Sequence, residues 1–257
     1  MDGWFSYKIW FQIFWLLSNY CWFTLTNNLS VEIEAVEDKF YLMDKPASWT
    51  SFDVVKKMKY AGPFKKIGHA GTLDPLATGL LIICVGKYTK KIDYFQSLPK
   101  TYTGTFVLGK TTPSIDLETD FDQEFPIESI EIDRLNEIAN SFIGESFQTP
   151  PIYSAIKLNG QRLYTHARNG VQAEDLEIKL REVHIYLFEI EVNNFPEINF
   201  KIICSKGTYI RSIVRDFGLK VNSGAYLKKL VRTGIGEYSL EKAQAISNFD
   251  PSLYETL

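Results

Sequence analysis

Residues that hold metals or form disulfides are scarce in this sequence. Its 257 residues include only Cys21, Cys84 and Cys204, and only His69, His166 and His184. The cysteines are odd in number, widely spaced and never in a C-x-x-C pair, which argues against a disulfide framework or a zinc module. They read as reduced thiols buried as small hydrophobes, in keeping with a cytoplasmic location. Phosphate-cradling signatures are missing too: the chain has neither G-x-x-x-x-G-K-[ST] nor G-x-G-x-x-G. There is no internal repeat and no low-complexity segment. A strong net charge is also lacking, and the value of −3 with a pI near 5.7, taken alone, argues against a nucleic-acid binder. Long apolar runs are confined to Ile9–Leu25. That run is short of the ~20 residues a membrane span needs, is broken by Gln12, Ser18 and Asn19, and lacks the basic start and cleavage site of a signal peptide. Three readings of residues 1–35 stay open: upstream sequence from a misassigned start codon, a helix packed on the body, or a membrane anchor.

What is present fits a globular protein. Apolar residues make up 45% and charged residues 23%, enough for a real core. The charge is segregated. Between Lys45 and Lys91 nine lysines face two aspartates, and between Lys201 and Arg232 eight basic residues face Asp216, so each segment carries +7. Between Ile115 and Phe147 ten carboxylates face Arg134, giving −9. If the basic segments share a face they make a footprint for a polyanion, and the acidic one is expected to point away from it. Solvated surface lysines are the plain alternative.

The pattern predicts a short strand at Lys39–Met43 and a helix capped by Thr50 and Ser51, with Val54, Val55 and Met58 inward. A glycine-rich loop follows over Ala61–Gly79, then a buried strand at Leu80–Val85. Further on it predicts a helix at Tyr88–Leu98, a strand at Thr101–Leu108, and helices at Ile130–Phe142 and Leu163–Arg168. Long strands are predicted at Leu176–Val192 and Ile198–Cys204, a helix at Tyr209–Val221, and a last strand at Ile235–Leu240. The mixture lacks a βαβ rhythm, so the expected class is α+β with a mainly antiparallel mixed sheet and flanking helices.

The most informative stretch is GHAGTLDPLATGLLIICVG, Gly68–Gly86. Pro75 restricts the backbone of Asp74, and the glycines permit turns that other residues resist. A carboxylate on such a loop, above an apolar strand, is a candidate reactive group. A turn-capping aspartate is the alternative. Likewise Tyr102 could be a sheet aromatic, Arg211 a solvated helix residue and His69 a hydrogen-bonded loop histidine.

The segment GHAGTLDPLATGLL resembles the catalytic-loop signature of the TruB-type tRNA pseudouridine synthases. Other blocks similar to that family follow in the same order: LMDKPASWTS (42–51), KTYTGTFVLG (100–109), PPIYSAIKLNGQRLY (150–164), CSKGTYIRSIVRDFG (204–218) and GAYLKKLVRTGIGEYSL (224–240). The resemblance covers about residues 39–240. It implies the pseudouridine synthase fold and isomerisation of the uridine at position 55 in the T loop of tRNA, without a cofactor or metal. It implies Asp74 as the catalytic carboxylate, Arg211 as its ion-pair partner, and Tyr102 stacked on the base and placed for proton transfer. By the same carry-over His69 helps hold the flipped-out nucleotide, Tyr209 and Leu230 line the uracil pocket, and Lys45 and Lys90 lie near the RNA or the pocket floor. The block around 148–175, with Lys157 and Arg162, looks like an RNA-clamping insertion. The expected partner is the T arm of tRNA and the expected state a monomer. The expected organisation is an extension, 1–35, before one catalytic domain, 36–257. About 17 residues follow Leu240, so no C-terminal PUA domain is expected. Two rivals differ in class: a tRNA-folding chaperone, which would have lost a catalytic residue, and a membrane-attached protein of another role, which would depend on residues 1–35.

Overall fold

The computed structural model describes residues 39–255, apart from 159 and 172–174, so the apolar run at Ile9–Leu25 lies outside it. Among the described residues no helix is long and apolar enough to cross a membrane. The strands are β1 (Phe40–Lys45), β2 (Ile67–His69), β3 (Thr78–Val85), β4 (Lys100–Leu108), β5 (Lys110–Thr111), β6 (Gln123–Glu124), β7 (Gly144–Gln148), β8 (Lys157–Leu158), β9 (Gln161–Arg162), β10 (Arg181–Asn194), β11 (Glu197–Cys204), β12 (Ala225–Ile235), β13 (Tyr238–Ser239) and β14 (Gln244–Ala245). The helices are α1 (Ser51–Ala61), α2 (Ile92–Ser97), α3 (Leu135–Asn140), α4 (Leu163–Arg168) and α5 (Ile210–Lys220).

One large sheet runs β14-β1-β3-β12-β4-β11-β10-β7, with β2 on β3 and β13 on β12. Every pairing is antiparallel except β1 with β14 and β3 with β12. The α+β expectation therefore holds. Seven of the eight residues of β3 are buried, which explains its unbroken apolar run: both its faces are covered. The stripe Ile210, Ile213, Val214 and Phe217 of α5 lies in one core with Phe106, Phe188 and Ile202 of β4, β10 and β11. A second core joins Phe40, Leu80, Ile82, Cys84, Phe95 and Ile235.

Boundaries differ where side-chain pattern misleads. The predicted helix at Tyr88–Leu98 is a 3-10 turn, Gly86–Lys91, followed by α2, and the one at Ile130–Phe142 is a 3-10 turn, Ile132–Arg134, followed by α3. The strand expected from Leu176 begins at Arg181. The main omission is β12. Its sequence AYLKKLVRTGI carries Lys228, Lys229 and Arg232, and irregularities between Leu227 and Lys229 and between Arg232 and Gly234 break the alternation that signals a strand.

The β3–β12 junction matters for the site. These strands meet in parallel over Thr78–Gly79 and Val231–Arg232. Gly79 has φ +103°, and a Cβ there would lie 2.4 Å from the Arg232 carbonyl oxygen. Gly79→Ala is therefore expected to cost about 3 kcal/mol or more, read as a lowered urea midpoint, because a positive φ and a backbone clash coincide.

Candidate active site

The loop between β2 and β3 is held rigidly at its backbone. Five successive carbonyls have partners. Arg232 donates from Nη2 to Gly71 O at 3.2 Å and from Nη1 to Thr72 O at 3.4 Å. Ser51 Oγ donates to Leu73 O at 3.2 Å and accepts from Leu73 N at 2.8 Å. Asp74 O accepts from Ala77 N, closing a turn with Pro75 at its second position, where the fixed φ of proline suits it. Pro75 O accepts from Lys45 Nζ at 3.1 Å and from Ser48 N at 2.9 Å. Ser51 reaches the loop because α1 starts at a capping box: Thr50 Oγ1 accepts from Asp53 N, and Asp53 Oδ2 accepts from Thr50 N.

Asp74 thus projects from a pinned backbone. Its side chain keeps 38% of its surface exposed, so part of the carboxylate opens on a cavity of about 730 Å³. Arg211, buried on α5, donates from Nε to Asp74 Oδ2 at 2.9 Å. Its Nη1 donates to Ser114 O and its Nη2 to Tyr153 O, each at 2.9 Å, and Asp116 Oδ2 stands 3.7 Å from Nε. The guanidinium is fixed on several sides and aims the carboxylate.

Of the residues singled out from the sequence, Asp74, Tyr102, Tyr209, Arg211 and Leu230 all line this cavity. Burial raises the Tyr102 pKa while the Arg232 charge works against that, and burial raises Tyr209 while Arg181 opposes it. Both phenols are neutral near pH 7. His69 lies on β2, paired with Ile83, and is not among the lining residues. Burial and the Arg232 charge push its pKa down, so the imidazole is neutral there. Lys90 is exposed on the 3-10 turn after β3, away from the cavity lining. Lys157 and Arg162 are exposed and face each other across the β8–β9 hairpin, and the same block sends Ser154, Ala155 and Ile156 to the cavity wall.

Two placements differ from what local pattern suggests. Lys45 is fully buried beneath the Asp74 loop, and its Nζ bonds Pro46 O, Trp49 O and Pro75 O. Burial pushes its pKa down to about 8, with Asp74 pulling the other way. The acidic segment is not wholly at the surface either. Its first carboxylate, Asp116, is buried beside Arg211, and Glu118 pairs with Arg168 of the 148–175 block at 3.5 Å. Since Lys45, Arg211 and Arg232 are interior, the outward charge of the two basic segments is smaller than their sequence count.

Arg232, Lys100 and Arg181 also line the cavity, with no motif to announce them. Arg232 is 1% exposed, and its Nε also donates to Leu80 O at 2.7 Å. Lys100 is buried on the cavity wall, bonded to Gln96 O and Leu98 O, and burial lowers its pKa to about 8. Arg181 lines the cavity with its guanidinium 6.0 Å from the Tyr209 ring centre. Arg232→Met is expected to cost about 3 kcal/mol in chemical denaturation, because three carbonyls lose their donor and the Asp74 loop loses its floor. Among the described residues no group of three or more His, Cys, Asp or Glu could hold a metal ion.

Comparison with known proteins matches this arrangement to one family. The profile described as TruB family pseudouridylate synthase (N terminal domain) matches residues 57–210. A protein of Flavobacterium johnsoniae named tRNA pseudouridine synthase B is 53% identical over 227 residues, which cover 86% of this chain and 98% of that protein. The chain belongs to the TruB family of pseudouridylate synthases. A further TruB relative, also named tRNA pseudouridine synthase B, from Phocaeicola vulgatus, is 47% identical over 83% of this chain and 92% of that protein. Among solved structures, the crystal structure of a Cbf5-Nop10-Gar1 complex contains a chain that superposes with TM-score 0.62 at 25% identity, over 84% of this chain and 54% of that one. The TruB profile contains Asp74 and Tyr102 and ends one residue before Arg211, while Leu230 and Arg232 lie beyond it on β12.

Proposed function

We propose that this TruB-family enzyme isomerises the uridine at position 55, in the T loop of tRNA, to pseudouridine. The observation that carries the reading is the Asp74–Arg211 pair at the wall of a cavity also lined by Tyr102, Tyr209 and Leu230. The names of the relatives support tRNA as the substrate.

The reaction breaks the N1–C1′ bond, turns the uracil and joins C5 to C1′; N1 ends protonated and the C5 proton is lost. Asp74 acts at the ribose, as a carboxylate does in glycosyl chemistry, and Arg211 aims it. Tyr102 offers an apolar face for stacking and a hydroxyl for proton transfer at C5. Tyr209 and Leu230 close the pocket around the base. The target uridine leaves the RNA stack first, at a cost of a few kcal/mol returned by stacking and hydrogen bonds in the cavity. Arg181 and Lys206, also at the wall, supply positive charge for the flanking phosphates.

The test uses an unmodified tRNA transcript carrying tritium at C5 of its uridines. About one tritium per tRNA is expected to be released, and none from a transcript with cytidine at position 55. Equal release from both transcripts would overturn the assignment to that uridine.

A further inference from the structure

The exposed face of α1 carries a feature the reaction does not use. Phe52, Lys56 and Tyr60 follow one another at four-residue spacing and so share one side of the helix. Phe52 is 66% and Tyr60 82% exposed, although large aromatics ordinarily find cover. Beside them a groove of about 410 Å³ is lined by Ser48, Trp49, Asp53, Lys56, Lys57 and Tyr60. From Trp49 to Lys66 five lysines (56, 57, 59, 65 and 66) stand against the single carboxylate of Asp53, and all five are exposed. The Asp53 carboxylate is occupied by Thr50 in the helix cap.

The groove is mechanically joined to the catalytic loop. Ser48 on its rim donates from its backbone to Pro75 O at 2.9 Å, one residue after Asp74. The carbonyl of Trp49 accepts from Lys45 Nζ at 2.6 Å, and the same ammonium holds Pro75 O. Yet the groove and the cavity share no lining residue.

From this juxtaposition we infer that the α1 groove is a second RNA-contact site, taking an unpaired nucleotide of the substrate other than the one in the cavity. Flat aromatic faces stack on any base, and lysines beside them neutralise the adjoining phosphates. A protein partner would leave the +4 charge of this segment unmatched unless it were itself strongly acidic, so RNA is the occupant the chemistry favours. The inference rests on the tRNA reading above and deepens it: the enzyme recognises more of the folded RNA than the loop it modifies.

The test uses full-length protein carrying Phe52→Ser with Tyr60→Ser, or Lys56→Glu with Lys57→Glu. All four side chains are exposed, so the folded state should survive, which thermal unfolding checks. Kd for an unmodified tRNA transcript is expected to rise about tenfold or more in each pair, with the rate at saturating RNA unchanged. In the lysine pair the slope of log Kd against log salt should fall by about two. Kd within twofold of wild type in both pairs overturns the inference. So does an unchanged Kd with a shift in oligomeric state by light scattering, which would assign the groove to a second copy. Wild-type pseudouridine formation in the same reactions is the separate control: its absence would sink the tRNA reading, whereas active wild type with unaltered variants would sink only the groove.

Discussion

Asp74→Asn is expected to lower pseudouridine formation by about four orders of magnitude or more while leaving the fold and the RNA affinity nearly intact. The substitution keeps the shape of the side chain, so an oxygen can still accept from Arg211 Nε. The loop is held by its backbone carbonyls, through Arg232, Ser51, Lys45 and Ser48, and not by this carboxylate. What disappears is the negative charge, and with it the oxygen proposed to act at the ribose. An amide can neither stabilise a developing positive charge at C1′ nor take a proton there. Thermal unfolding and RNA affinity measured beside the rate separate this outcome from misfolding.

Arg211→Met is expected to damage both stability and activity, by a different route. Its guanidinium is 4% exposed and serves Asp74, the buried Asp116 and two carbonyls at once. Removing it leaves the Asp116 carboxylate, 8% exposed, without its nearby cation, a change that costs about 3–5 kcal/mol. Adding Asp116→Asn removes the stranded charge, so the double variant should regain part of the stability in urea denaturation. Activity should stay low, because Asp74 has lost the group that aims it. Arg211→Lys should fall between, since one ammonium cannot reach carboxylate and both carbonyls as a planar fork does. Full recovery of the rate in the Asp116→Asn double variant would mean that Arg211 serves only the fold.

The chemistry of the site was more legible in the sequence than its support. Asp74, Tyr102 and Arg211 stand in segments whose composition and order resemble the family, and the structure brings them to one cavity although Asp74 and Arg211 are 137 residues apart. The apolar run of β3 and the stripe of α5 announce themselves because burial leaves a periodic trace. Arg232 does not. Its strand holds two lysines and two register irregularities, and an inward arginine reads in sequence like an outward one until the carbonyls of Gly71, Thr72 and Leu80 are seen to surround it. The burial of Lys45 is illegible for the same reason: the turn that covers it is completed by Pro75, 30 residues on. Asp116 was hidden by company, one carboxylate in a run of ten, with only its place in the folded chain to set it beside Arg211. Buried ions are held by partners far away in sequence, and local pattern carries little of that information.

The proposed role of Asp74 at the T-loop uridine is tested by incubating wild type and Asp74→Asn with an unmodified tRNA transcript and mapping pseudouridine by carbodiimide-dependent primer-extension stops. One strong stop is expected at position 55 with wild type and none with Asp74→Asn, at equal RNA binding. A stop of comparable strength with Asp74→Asn, or a wild-type stop at another uridine alone, would contradict it.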